Sequence, residues 1–92
     1  MNMSDREQLW YLINGLLNGA YSPNVFCDEF TRIYDINTDY DNLSLQEREK
    51  FAELSEMAAR FSDDEEELKI PNMYFNANQI IEKAKTIKTE IG

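Results

Sequence analysis

Histidine is absent from the 92 residues, and cysteine occurs once. The first absence excludes Ser/His/Asp and Cys/His nucleophile activation, an imidazole proton shuttle near neutral pH and any metal centre built on imidazole. A single thiol excludes an internal disulfide and, with no histidine to join it, a four-ligand zinc site. Cationic side chains are scarce too: nine Lys and Arg stand against eighteen Asp and Glu, a net charge of −9. That sign disfavours a direct grip on DNA, RNA or an anionic membrane and favours a basic partner. Long apolar runs are missing. The stretch Leu9 to Leu17 is interrupted by Asn14 and Gly15 and has no basic region ahead of it, so neither a secretion signal nor a membrane span is expected. With the lone thiol, this points to a reduced, cytoplasmic setting.

Three Gly, two Pro and 42% hydrophobic residues leave an ordinary globular composition, and the length suits one domain spanning 1–92 with one small core. Four segments carry a helical period. The first opens with Ser4-Asp5-Arg6-Glu7, a capping box, and Leu9, Leu12, Ile13, Leu16 and Leu17 form its apolar stripe before Asn18-Gly19 stops it. A second starts at Ser22-Pro23, buries Phe26, Phe30, Ile33 and Tyr34, and should run to about Asp35. The third has another box, Ser44-Leu45-Gln46-Glu47, and a stripe of Phe51, Leu54, Ala58 and Phe61. The fourth starts at Asn76 with Gln79 in the box position and carries Ile80, Ala84, Ile87 and Ile91, while Lys83, Lys85 and Lys88 crowd its later turns. No segment alternates as a strand would. The expectation is an all-α fold, an antiparallel four-helix bundle, with a connection of about a dozen residues from Ser62 to Phe75.

The charge is unevenly placed. Residues 28–67 hold fourteen acidic and four basic side chains, whereas residues 68–92 hold two acidic and four basic. Asp35, Asp39 and Asp41 cluster in the second connection, and Asp63-Asp64-Glu65-Glu66-Glu67 follow the third helix. Glu49, Glu53 and Glu56 add a band at i, i+4, i+7, one exposed helix face. Such acid can be no more than a solvated surface. Two loop clusters with Tyr40 and Tyr74 nearby fit an interface better, since aromatic anchors supply buried area and charge supplies association rate.

Other chemistry finds less support. Asp35-Ile36-Asn37-Thr38-Asp39-Tyr40-Asp41 has the oxygen ligands that open an EF-hand loop, but Tyr40 stands where glycine is needed, Leu43 at position nine, and Gln46 where a glutamate should close the site. Neither metal nor cofactor is expected. The paired carboxylates imply no apolar pocket to raise a pKa, so no catalytic residue is assigned and the protein is not read as an enzyme. Cys27, beside Phe26, reads as a semi-buried core thiol, Trp10 as a cap on the core, and Met57 and Met73 as gap fillers.

The order of landmarks, an amphipathic helix, Gly19-Ala20-Tyr21, Phe26 and Phe30 with Tyr34, Leu43-Ser44 with Glu47, Ala58-x-Arg60-Phe61-Ser62-Asp63-Asp64 and Tyr74-Phe75, resembles the colicin D immunity family and its relatives among contact-dependent growth inhibition immunity proteins. It spans roughly residues 9–87, and its most specific part is Ala-x-Arg-Phe followed by acid. The resemblance implies a small cytoplasmic four-helix protein that binds a cognate bacterial toxin domain, commonly a ribonuclease acting on transfer RNA, in a 1:1 complex and blocks its active site. An acidic surface of matched shape can fill a basic, phosphate-binding cleft. Asp63 and Asp64 match the family's acid; Glu53, Glu56, Tyr40 and Tyr74 are added from charge and exposure. The run Asp35 to Asp41 departs from the family pattern. An acidic nucleic-acid mimic or regulatory adaptor on another basic protein is the alternative that the residues leave open.

Overall fold

A computed structural model describes residues 3–37 and 39–92. Its helices are α1 (Asp5–Leu17), α2 (Pro23–Arg32), α3 (Leu45–Ala59), a one-turn α4 (Glu65–Leu68) and α5 (Ala77–Ile91). Four of the starts are set by the residues the sequence offered. Ser4, Ser44 and Asn76 each accept from the amide three residues on, while Glu7, Glu47 and Gln79 reach back to the cap amide, and Ser22 accepts from Val25 ahead of Pro23. At the end of α1, Gly19 adopts φ 85°, the left-handed turn that glycine takes without penalty. Ala20 then donates to the Gly15 carbonyl at 2.8 Å and Gly19 to Leu16 at 3.3 Å, so the last carbonyls of α1 are satisfied as the chain reverses.

The second helix departs from its expected end. Regular α winding stops at Arg32 and a wider π winding carries the chain through Ile33–Asn37. One turn earlier the Thr31 hydroxyl donates back to the carbonyls of Cys27 (2.8 Å) and Asp28 (3.2 Å), the kind of side-chain bond that competes with a helical ladder and bends it. A 3₁₀ turn, Tyr40–Asn42, completes the link to α3. The connection from 62 to 75 is also less open than a plain loop. It contains α4 and is closed by an isolated parallel bridge between Phe61 and Phe75.

Packing follows the apolar stripes. α1 lies against α2 and α5, α2 against α3, and α3 against α5, and α2 also touches α5, so α1 and α3 each have two main-helix neighbours and α2 and α5 have three. Phe26, Phe30 and Phe51 are fully buried with Leu9, Ile80 and Ile87 in one core. Phe30 and Phe51 meet edge to face at 5.8 Å and 88°, the arrangement their ring quadrupoles prefer. The radius of gyration, 12.9 Å, is close to the roughly 12 Å expected for a folded chain of this length. Among the described residues no helix is long and apolar enough to cross a membrane.

One buried carboxylate ties two helix starts together. Glu47, whose side chain is 4% exposed, accepts from Arg6 Nε at 2.7 and 2.9 Å, from Trp10 Nε1 at 2.6 Å and from the Ser44 amide at 2.9 Å. Burial by itself pushes this carboxyl up; the Ser44 amide, the Trp10 indole and Arg6 together outweigh it and hold the group below its usual value. Trp10 therefore does cap the core, edge to face with Phe51 at 5.2 Å.

Gly15 is buried in α1 against the Tyr21 ring, and a Cβ there would stand 2.3 Å from Tyr21 Cε2. Gly15→Ala should destabilise the protein by about 1–3 kcal/mol although alanine is the better helix former. In a Tyr21→Ala background the same change should stabilise by up to about 1 kcal/mol, a reversal that urea denaturation of the four proteins would register. For Glu47 the depressed pKa means stabilisation present above the unfolded-state pKa and lost as pH falls through the folded one. Glu47→Gln should cost about 3 kcal/mol near neutrality, the lower end for a broken buried pair because Arg6 is half exposed. The gap to the parent should close as pH drops below about 4; a gap independent of pH in denaturation series would contradict this role.

Candidate functional site

The C-terminal end of α3 is where acidic candidates meet two of the exposed apolar side chains, Ile70 and Met73, while others, Leu45 (79% exposed) and Ile36 (75%) among them, lie elsewhere. Past Ala59 the strand-like bridge is made by two hydrogen bonds, Ser62 N–H to the Phe75 carbonyl and Phe75 N–H to the Arg60 carbonyl, both 2.9 Å. Ser62 is buried; its hydroxyl donates to Glu67 at 2.6 Å and accepts from the Asp64 amide at 3.0 Å. Asp64 in turn caps α4 by accepting from Glu66 N–H at 2.9 Å. The segment is thus held at its base and along its first turn. It presents Asp63, Asp64, Glu65 and Glu66, all exposed, followed by Ile70 and Met73, which are 45% and 49% exposed. Between the last two, Asn72 takes φ 60°, a left-handed conformation that asparagine tolerates better than most residues.

The six candidates do not form one cluster. Asp63 and Asp64 belong to the segment just described, but Asp64 is engaged as a cap, so Asp63 is the freer carboxylate. Tyr74 is half-buried beside Phe75. Glu53 and Glu56 share a shallow groove of about 320 Å³ with Met57, Arg60, Phe75 and Lys83, yet neither is unopposed. Glu53 accepts from Lys83 of α5, whose ammonium lowers the carboxyl from its ordinary value, and Glu56 lies 3.4 Å from Arg60. The expected band of Glu49, Glu53 and Glu56 on one exposed face is accordingly broken, because Glu53 turns to the α3–α5 seam. Tyr40 lies at the other end of α3, a helix about 22 Å long. Its hydroxyl donates to the Tyr34 carbonyl at 3.0 Å and its own carbonyl accepts from Arg48 at 2.8 Å, so it fastens the α2–α3 link.

Two residues that the periodicity did not single out complete the surface. Ile70 belonged to no stripe, and Met73, expected to fill a gap, is half exposed. The available signal was an apolar pair flanking Pro71-Asn72 in a mostly polar connection.

The Asp35 to Asp41 run does not gather into a cation site among the described residues; Thr38 and the Asn37 side chain lie outside them. Asp39 Oδ1 accepts from Asp41 N–H at 3.0 Å, Asp39 N–H donates to Asp5 at 2.6 Å, and Asp41 lies 3.6 Å from Arg48. Of these carboxylates, that of Asp39 serves the turn.

Cys27 is buried at 3% exposure, and its thiol is pushed up to about 12, first by burial and then by neighbouring Asp28. A thiol so rarely ionised is a poor nucleophile. Native protein should react with a thiol-directed disulfide reagent at pH 8 only through opening of the core, with a rate that rises steeply in urea; rapid labelling without denaturant would place Cys27 at the surface.

Comparison with known protein families, curated proteins and solved structures finds no match to this chain, so a functional reading rests on the residues themselves.

Proposed function

We propose that the protein is an immunity protein, binding a basic bacterial toxin domain in a 1:1 complex and covering its active-site cleft, the toxin being a ribonuclease of the transfer-RNA-cleaving class. The observation that carries this reading is the union, on one anchored segment, of four exposed carboxylates with the exposed side chains of Ile70 and Met73. Acid alone would be a solvated surface. Exposed apolar side chains on the same segment as acid offer buried contact area together with electrostatic steering. The same segment follows Ala58-x-Arg60-Phe61, the part of the chain most like the colicin D immunity family. In this reading the four main helices form an antiparallel bundle, for which the ring of neighbours α1, α2, α3 and α5 is the support, and the cytoplasm is where toxin and protein meet. Asp63 contacts basic groups of the toxin, Asp64 does so while capping α4, and Tyr74 adds a half-buried ring next to Met73 in the chain. Glu53 and Glu56 line the adjoining groove, while Tyr40 serves at most the edge of so broad a contact.

The test is expression of the adjacent upstream reading frame's C-terminal domain with and without this protein, scoring growth and transfer RNA integrity. Growth arrest relieved only by co-expression is the expected result, and arrest that persists overturns the reading. With purified complex, Asp63→Lys should slow association about tenfold at low salt and less at high salt. Met73→Ser should instead speed dissociation about tenfold, as loss of a central apolar contact does. Affinity unaltered by both changes would move the contact away from residues 63–73.

A further inference from the structure

The dipeptide Asn-Gly occurs twice in the chain, at Asn14-Gly15 and at Asn18-Gly19. In this pairing an asparagine side chain is most open to attack by its own main chain. Glycine puts no β-carbon beside the attacking amide nitrogen and accepts the turned backbone that the attack requires. As sequence the two sites are equal, and Asn14, Asn18 and Gly19 are all exposed. The fold separates them. Asn14 lies inside α1, and its glycine is buried against the Tyr21 ring. Bringing the Gly15 nitrogen onto the Asn14 side chain means rotating the main chain within a continuous helix, which breaks its ladder on both sides. Asn18 stands just past the helix, at φ −94° and ψ 3°. The Gly19 N–H reaches the Leu16 carbonyl at a long 3.3 Å, and Asn18 Oδ1 accepts from the Ala20 amide at 3.0 Å. Gly19 already takes φ 85°. Rotation at residue 18 therefore costs those bonds and the ones from Ala20 and Tyr21 to the Gly15 carbonyl, a surface turn, and leaves α1 wound.

We infer that Asn18 is a site of spontaneous deamidation in the folded protein, and that the fold protects Asn14 from the same reaction. The Gly19 nitrogen attacks Asn18 Cγ and closes a succinimide ring. The bond from Cγ to Nδ2 breaks, and the proton of the Gly19 N–H leaves with that nitrogen as ammonia. Water then opens the ring at one of its two carbonyls. One opening gives aspartate; the other gives isoaspartate, in which the main chain runs through the former side-chain carbon. Water is the only co-reactant. Either product adds a negative charge at the C-terminal end of α1, where the helix dipole disfavours it. Isoaspartate also lengthens the main chain by one carbon in the turn that seats Tyr21 on Gly15. This site is independent of the acidic segment and of the function proposed for it.

The test is to hold the intact protein at physiological temperature in mildly alkaline buffer and follow both asparagines over days by peptide mapping with mass spectrometry. Asn18 should convert about tenfold or more faster than Asn14, the factor by which opening a surface turn is easier than opening a helix interior. In guanidinium chloride, where both lie in one unfolded chain, the two rates should agree within about twofold. Asn18→Gln, whose longer side chain closes a ring far more slowly, should abolish conversion at residue 18 and leave Asn14 as slow as before. Asn14 reacting as fast as Asn18 in the native protein overturns the inference, as does an inert Asn18 in native protein whose unfolded chain reacts at both sites. The isolated isoaspartyl form should melt below Asn18→Asp, which carries the charge without the added carbon; equal melting would overturn the effect assigned to the lengthened turn.

Discussion

Much of the architecture hangs on how a carboxylate is kept charged inside a small apolar core. Glu47 begins as a local device, the third-position residue of the box that starts α3, and ends as the acceptor for two side chains of α1. Removing a charge from water is expensive unless its lone pairs are filled, and here four hydrogen-bond contacts from three residues fill them. The geometry that satisfies Glu47 also places Trp10 against Phe51, and through Phe51 it reaches Phe30 on α2. One polar node thereby fixes the start of α3 relative to α1, and with it the direction in which the far end of α3 presents its acidic segment.

Features written in short stretches of chain were legible before any coordinates. The caps at Ser4, Ser22, Ser44 and Asn76, the glycine stop after α1 and the core stripes depend on residues three or four apart, and they appear where the pattern put them. Features that need a distant partner were not legible. Nothing near Glu53 indicates that Lys83, thirty residues on, will draw it out of the acidic band. Nothing within 62–75 reveals that Phe61 and Phe75 will close the segment. The second half of the box at Glu47 was visible, but its engagement by Arg6 and Trp10 was not, because those residues lie about forty positions away and reach it only in the folded chain.

The charge map changes once pairing is counted. Within residues 28–67 three of the four cations are spent on neighbours: Arg32 on Glu29, Arg48 on Asp41 and Arg60 on Glu56. Exposed pairs of this kind add little stability. Their effect is to cancel acid along α2 and the outer side of α3; Glu66 is likewise met by Lys69, so the surplus is greatest from Asp63 to Glu65. A long-range field from such a source acts on encounter with a partner before any contact forms.

The two hydrogen bonds that join Phe75 to Arg60 and Ser62 make residues 62–74 a lariat tied at its neck. Closure entropy grows only with the logarithm of loop length, so the knot, and not the wording inside it, sets most of the cost of forming the loop. Composition inside the lariat is thereby uncoupled from the cohesion of the core, and the segment can be rewritten, lengthened by a few residues or recharged while the helices keep their places. A scaffold of this kind retunes its recognition without having to solve its folding problem again.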